Sequence, residues 1–239
     1  MARGDTRACL RAYEESRHEL EIFRDSVHKF FQSHPRLVAP PAIVHSVRSR
    51  LKDPENLRQK LRRKGDGTRP ITPANFFKRV TDLAGVRVLH LYRDQCAEIH
   101  RAIIEKVDRG DWHLEERPRA FTWDPEAVAF FKGLGLRTEY RETQYTSIHY
   151  LVRPRRDSPL CCEIQVRTLF EEVWGEIDHT INYPEKTKSL ACAEQLRVLS
   201  KLVGAGTRLA DAIFRSHRED LTRRRGHVRR AAGRDGARR

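Results

Sequence analysis

Apolar positions recur at helical spacing near the start of the chain. Tyr13, Leu20, Phe23, Val27, Phe30 and Phe31 mark one face of an amphipathic helix, which must end before Pro35. A second helix has a legible start: Asp53 can cap it, Pro54 suits the first helical position and Glu55 favours the positive end of the dipole. Leu57 and Leu61 then make an i, i+4 contact. Thr72-Pro73 opens another helix, with Phe76, Phe77 and Val80 as core candidates. From Asp82 to Leu91 a carboxylate leads into an apolar run typical of a buried strand. Two further segments, Tyr145 to His149 and Glu163 to Thr168, alternate β-branched or aromatic residues with polar ones and are predicted strands. Thr168 and Glu171 form a capping box opening a helix that stops near Tyr183-Pro184. Its Val173, Trp174, Ile177 and Ile181 are predicted to pack on the sheet. Leu196, Leu199, Val203, Leu209 and Ile213 predict a C-terminal helical region, loosened at Gly204 and Gly206. Residues 109 to 122 are too irregular to assign, and no internal repeat is present. Strands interleaved with helices give an α/β or α+β domain with a mixed sheet.

Side chains two apart on a strand share a face. Tyr145, Ser147 and His149 therefore point one way from their strand, and Glu163, Gln165 and Arg167 do so from the next, while Cys162, Ile164 and Val166 face a core. A carboxylate, an amide and a guanidinium on one face suit a polar site better than a bare sheet surface. Asp82 can complete a carboxylate pair with Glu163, the minimal protein ligand set for a magnesium ion that also carries phosphates. Between Arg48 and Lys64 the chain holds eight Lys or Arg against two acids. Arg50, Lys52 and Lys60, grouped around a helix start, fit a polyphosphate clamp.

The full chain of 239 residues carries a formal net charge of +14, which calls for anionic partners. Residues 223 to 239 hold eight Arg and one Asp. That segment is almost devoid of apolar side chains and is predicted to be disordered. It serves either as an RNA or ribosome contact or as a solubilising tail. No stretch of 18 apolar residues and no signal-peptide core are present, so the expected setting is the cytoplasm, without a membrane partner. Five cysteines, an odd number without C-x-x-C spacing, argue against a disulfide framework or a zinc site.

In their order along the chain these segments resemble the synthetase domain of the RelA/SpoT family, makers of the alarmone (p)ppGpp. The family's Arg-x-Lys-x-x-x-Ser-x-x-Lys pattern is matched by Arg50, Lys52, Asn56 and Lys60, with Asn in place of Ser. Its Asp-x-x-Gly-x-Arg strand is matched by Asp82, Gly85 and Arg87. Its Tyr-x-Ser-x-His strand is matched by Tyr145, Ser147 and His149, with Arg141 four residues before the Tyr. Glu163, Gln165, Arg167 and Thr168 match Glu-x-Gln-x-Arg-Thr, and Trp174 and Asp178-His179 match a following Trp and Glu-His pair, with Asp for Glu. Gln144 stands where a Gly commonly precedes the Tyr.

The resemblance implies a nucleotidyltransferase-like α+β fold, a mixed sheet of about five strands flanked by helices. It divides the chain into an N-terminal helical segment (1–39), a synthetase domain with C-terminal helices (40–220) and a basic tail (221–239). It implies pyrophosphoryl transfer from ATP to the 3′-hydroxyl of GDP or GTP, with Mg2+ held by Asp82 and Glu163 and Glu163 also accepting the hydroxyl proton. Arg50, Lys52, Asn56, Lys60 and Arg87 would bind ATP. Arg141, Tyr145, Ser147 and His149 would bind the acceptor, with Tyr145 stacking on its base, and Gln165, Arg167 and His179 would support the shell. No segment resembles the family's His-Asp hydrolase, so synthesis without degradation is expected, and small members often form homo-oligomers. The same resemblance admits a tRNA 3′-end pyrophosphotransferase toxin, and a non-catalytic RNA-binding protein on this scaffold is the remaining alternative.

Overall fold

A computed structural model describes residues 3–65, 70–183 and 185–236. The elements run α1 (Arg3–Ser33), α2 (Pro35–Val38), β1 (Ser46–Leu51), α3 (Pro54–Gly65), a 3-10 turn and α4 (Phe76–Arg79), then β2 (Ala84–His90) and α5 (Gln95–Asp108). After them come β3 (His113–Leu114), β4 (Arg119–Thr122), α6 (Pro125–Gly133), β5 (Arg137–Tyr140), β6 (Ser147–Arg153), β7 (Cys162–Thr168), α7 (Leu169–Asn182) and α8 (Leu190–Gly236). The strands form one mixed sheet of seven in the order β1-β2-β7-β6-β4-β5, with β3 beside β6. β2 and β7 are parallel, as are β4 and β5, and the other pairs are antiparallel. The architecture is the α+β sheet flanked by helices that the sequence predicts, with more strands. β3 has two residues and β5 reads Arg-Thr-Glu-Tyr, so neither carries an apolar signature. β3 and β4 occupy the span that was too irregular to assign.

The register gives the sheet two chemically distinct faces. Gly85 lies beside Glu163 and Arg87 beside Gln165, while Arg50 pairs with Gly85 and His149 with Gln165. One face is thereby polar across four strands. The alternate residues, among them Val86, Val88, Ile148, Tyr150, Ile164 and Val166, form the core with α1 and α5. Tyr13, Leu20, Val27 and Phe31 of α1 are fully buried there, and the Tyr13 hydroxyl donates to the Lys52 carbonyl at 2.5 Å. That bond fixes the chain where β1 gives way to α3.

The C-terminal helices depart from the pattern. Of the four apolar residues predicted to pack α7 on the sheet, only Trp174 is buried; Val173, Ile177 and Ile181 are exposed. α8 runs unbroken past Gly204 and Gly206. A methyl at Gly206 would stand 2.9 Å from the Phe170 ring, so the glycine allows close packing rather than ending the helix. α8 also turns an unexpected side inward. Ser200, Thr207 and Asp211 are buried while Leu202, Leu209 and Ile213 are exposed.

The segment from 221, predicted to be a disordered tail, continues α8 to Gly236. Arg and Ala are strong helix formers, and extending an existing helix avoids the cost of nucleation. Pro184 and residues 237–239 lie outside the described residues. No helix among those described is long and apolar enough to cross a membrane. All five cysteines are free, and burial pushes Cys161 up to about 12, which suits packing rather than thiolate chemistry.

Candidate active site

A cleft of about 610 Å³ opens on the polar face, floored by β1, β2 and β7 and walled by α7. Arg50, Asp82, Arg87, Tyr145, Glu163, Gln165, Arg167 and His179 all line it. The parallel pairing of β2 with β7 brings together residues some eighty positions apart.

Asp82, just before β2, is clasped by two ammonium groups. Lys52 Nζ donates to Oδ2 at 3.0 Å and Lys60 Nζ to Oδ1 at 2.5 Å. Burial alone would raise this carboxyl; the charges and hydrogen bonds of Lys60 and Lys52 outweigh it and hold the group at about 2. Helix α3 presents Lys60 there because the Asp53 carboxylate accepts from the Asn56 amide at 2.9 Å and caps the first turn. The Asn56 side chain faces elsewhere, accepting from the Tyr183 hydroxyl at 2.9 Å. His179 stacks on that Tyr183 ring with centroids 4.5 Å apart.

Glu163, half-buried on the cleft, ends a hydrogen-bonded chain. Its Oε1 lies 3.1 Å from His149 Nδ1, His149 Nε2 lies 3.0 Å from the Tyr145 hydroxyl, and Gln165 Nε2 donates to Glu163 Oε2 at 2.7 Å. Burial raises the Tyr145 pKa, so its hydroxyl enters this chain of bonds in the neutral form. Burial would raise Glu163 too, but the bond and charge from His149 and the Gln165 amide leave it below its ordinary value. His149 is thus engaged with Glu163 rather than aimed at solvent. Ser147 shares this face but is buried, its hydroxyl 3.4 Å from the Val166 carbonyl. Arg141 lies outside the cleft, its guanidinium 4.2 Å from the centre of the Phe121 ring.

Glu172 carries no marker in the sequence. Buried on α7, it pairs with Arg87 at 2.7 Å, Arg167 at 2.7 Å and Arg48 at 3.7 Å. Arg87 also reaches Glu176 at 2.5 Å. One carboxylate therefore gathers the guanidinium groups along the cleft wall. Arg167 fits because Gly175 faces it: a methyl there would stand 2.7 Å from Nη1. A carboxylate in the first turn of a helix reads equally as a dipole partner, which is why sequence alone passes it over. Arg50 is exposed at the mouth and makes no ion pair among the described residues.

The loop leading into β6 is held at both sides of Tyr145. Gln144 adopts φ +62°, the left-handed region that glycine enters freely. Its side chain meets Ser200 of α8 at 2.6 Å, and Thr146 Oγ1 meets Thr122 Oγ1 at 3.1 Å.

No group of three or more metal-binding side chains occurs among the described residues. Asp82, Glu163, Glu176 and Asp178 bring carboxylates to the cleft, and of these Asp82 and Glu163 lie near enough for the Asp82 charge to be felt at Glu163. An all-oxygen pair of this kind fits magnesium completed by waters and phosphate oxygens.

A family model described as the region found in RelA / SpoT proteins matches residues 49–188. No curated protein matches the chain. Among solved structures, small alarmone synthetase 1 from Bacillus subtilis bound to its product pppGpp aligns with TM-score 0.61 at 20% identity, covering 88% of this chain and 97% of that one. A GTP pyrophosphokinase family protein from Streptococcus pneumoniae aligns with TM-score 0.59 at 20% identity, covering 87% and 92%. The Bacillus protein bound to AMPCPP aligns with TM-score 0.56 at 18% identity, over 87% and 94%. At such identities the likeness is one of fold.

Proposed function

The chain belongs to the RelA/SpoT family, and from that premise we propose that it transfers a pyrophosphoryl group from ATP to the ribose 3′-hydroxyl of GDP or GTP. The products would be (p)ppGpp and AMP, with the cytoplasm as the proposed setting. The observation that carries this reading is the pairing, in one cleft, of a lysine-clasped Asp82 with a hydrogen-bonded Glu163. The relatives solved with pppGpp and AMPCPP are consistent with it.

The 3′-oxygen attacks the β-phosphorus of ATP, the bond from that phosphorus to the α,β-bridging oxygen breaks, and AMP leaves with the electron pair. Glu163 takes the hydroxyl proton. Its carboxylate is ionised at neutral pH, and Gln165 and His149 fix both oxygens so that its lone pairs are already oriented. Lys52, Lys60, Arg50 and Arg87 neutralise the triphosphate. Lys52 and Lys60 already converge on one point, which costs less reorganisation than gathering them afresh. Arg87 must exchange Glu172 and Glu176 for phosphate oxygens, so the donor competes with α7 carboxylates for the same guanidinium. Asp82 and Glu163 would hold Mg2+, which supplies charge neutralisation of the β- and γ-phosphates when bound. Tyr145 presents its ring to the acceptor base, and base stacking on an aromatic ring contributes about 1–3 kcal/mol.

Incubation of the pure protein with γ-labelled ATP and either guanine nucleotides or bulk tRNA tests this reading. Label should enter the guanine nucleotide. Label confined to the tRNA 3′ end would replace it with the tRNA-directed activity, and RNA binding without any transfer would replace it with a non-catalytic role.

A further inference from the structure

We infer that Gln144 and Ser200 form a tether through which helix α8 sets acceptor affinity. Gln144 is therefore a positioning residue for Tyr145. This inference rests on the reading above, in that Tyr145 is taken to meet the acceptor. Gln144 is held at φ +62°, where a residue with a Cβ is strained and persists only if its surroundings impose the geometry. The turn itself supplies one bond, from the Gln144 amide to the Arg141 carbonyl at 3.0 Å. The rest comes from α8.

Ser200 Oγ lies 2.6 Å from the Gln144 amide and 2.8 Å from the Arg197 carbonyl. One hydroxyl proton cannot serve both. The hydroxyl donates to Gln144 Oε1, with the Arg197 carbonyl as its alternative acceptor. Ser200 is 2% exposed, so the contact is shielded from water. It is also firmly mounted. Four residues before it, the Leu196 carbonyl accepts from the Trp174 indole at 3.1 Å, and eight residues after it Arg208 pairs with Asp124 at 2.9 Å. On the far side of Tyr145, Thr146 is tied to Thr122 of β4 at 3.1 Å. Tyr145 is thus suspended between a strand and α8, with its hydroxyl on His149. The strand anchor is part of the sheet, whereas the helix anchor depends on how α8 lies.

The consequence is that loosening α8 frees a strained loop to relax, and acceptor binding weakens without loss of the chemical step. Three variants separate this from simple destabilisation: Ser200→Ala, Gln144→Gly and the pair together. Ser200→Ala should raise the acceptor KM by about tenfold while kcat and the KM for ATP change by less than about twofold. Glycine accepts φ +62° without strain, so in the Gln144→Gly background the same Ser200→Ala change should move the acceptor KM by less than about twofold. An unchanged KM in Ser200→Ala, or an equal effect in both backgrounds, would overturn the tether. Hydrogen exchange on the free protein provides an independent arm: Ser200→Ala should speed exchange at the amides of residues 143–146. Unchanged exchange would overturn the tether even if transfer occurs. If the unaltered protein transfers nothing to guanine nucleotides, the functional reading fails and exchange alone decides the tether.

Discussion

Asp82 links stability to pH at the scale of one residue. Its folded pKa of about 2 lies below its ordinary 3.8, so folding favours the ionised form. The stabilisation is present above the ordinary value and is lost as pH falls through the folded one. It amounts to roughly 2 kcal/mol, visible as a loss of Tm between pH 4 and 2 that Asp82→Asn should abolish. Glu163 is shifted in the same direction, so transfer should hold level through neutral pH as far as this base is concerned and fall only in acid. Glu163→Gln removes the proton acceptor and should lower kcat by about a thousandfold or more with the fold intact. Activity within about tenfold of the unaltered protein would remove Glu163 from the chemistry. These positions were legible because strands alternate with a strict period of two. Glu163, Gln165 and Arg167 could only share a face once the segment was a strand. Where the side chains turn locally, the pattern says less: Ser147 shares that face yet is covered, and Arg141 lies outside the cleft on Phe121.

At the scale of elements, α7 organises the cleft wall. Glu172 is buried among Arg48, Arg87 and Arg167, and removing it leaves guanidinium groups uncompensated. Glu172→Ala should cost about 3–5 kcal/mol, read from denaturant unfolding. Gly175→Ala is more selective. Its methyl would displace the Arg167 guanidinium, 2.7 Å away, and should weaken transfer more than it lowers Tm. Gly206→Ala puts a methyl 2.9 Å from the Phe170 ring, which must shift to admit it, and should destabilise by about 1–3 kcal/mol. Gly133→Ala in α6 meets nothing within 4 Å and should stabilise by about 0.4–1 kcal/mol. Thermal unfolding of the two variants side by side checks the contrast. The helices were less legible than the strands because an apolar stripe does not reveal which side docks. α8 shows this plainly, with Ser200, Thr207 and Asp211 inward and Leu209 and Ile213 outward.

At the scale of the whole molecule, the fold divides its tasks between the two faces of one sheet. α1 and α5 close the apolar face, and β1, β2, β7 and α7 build the cleft on the other. The terminal part of α8 extends beyond the residues that anchor Ser200. Removal of residues 225 to 239 should therefore leave nucleotide transfer near the full-length rate, measured at several salt concentrations. A large loss, with a flattened salt dependence, would point to a polynucleotide acceptor instead.

The most direct test is the stoichiometry of the reaction itself. Phosphorus NMR of the protein with ATP, GDP and magnesium should show one AMP formed for each 3′-pyrophosphorylated guanine nucleotide. The same mixture with Glu163→Gln should show neither product. Release of ADP and inorganic phosphate in place of AMP, or a 3′-pyrophosphate that accumulates undiminished with Glu163→Gln, would contradict the account.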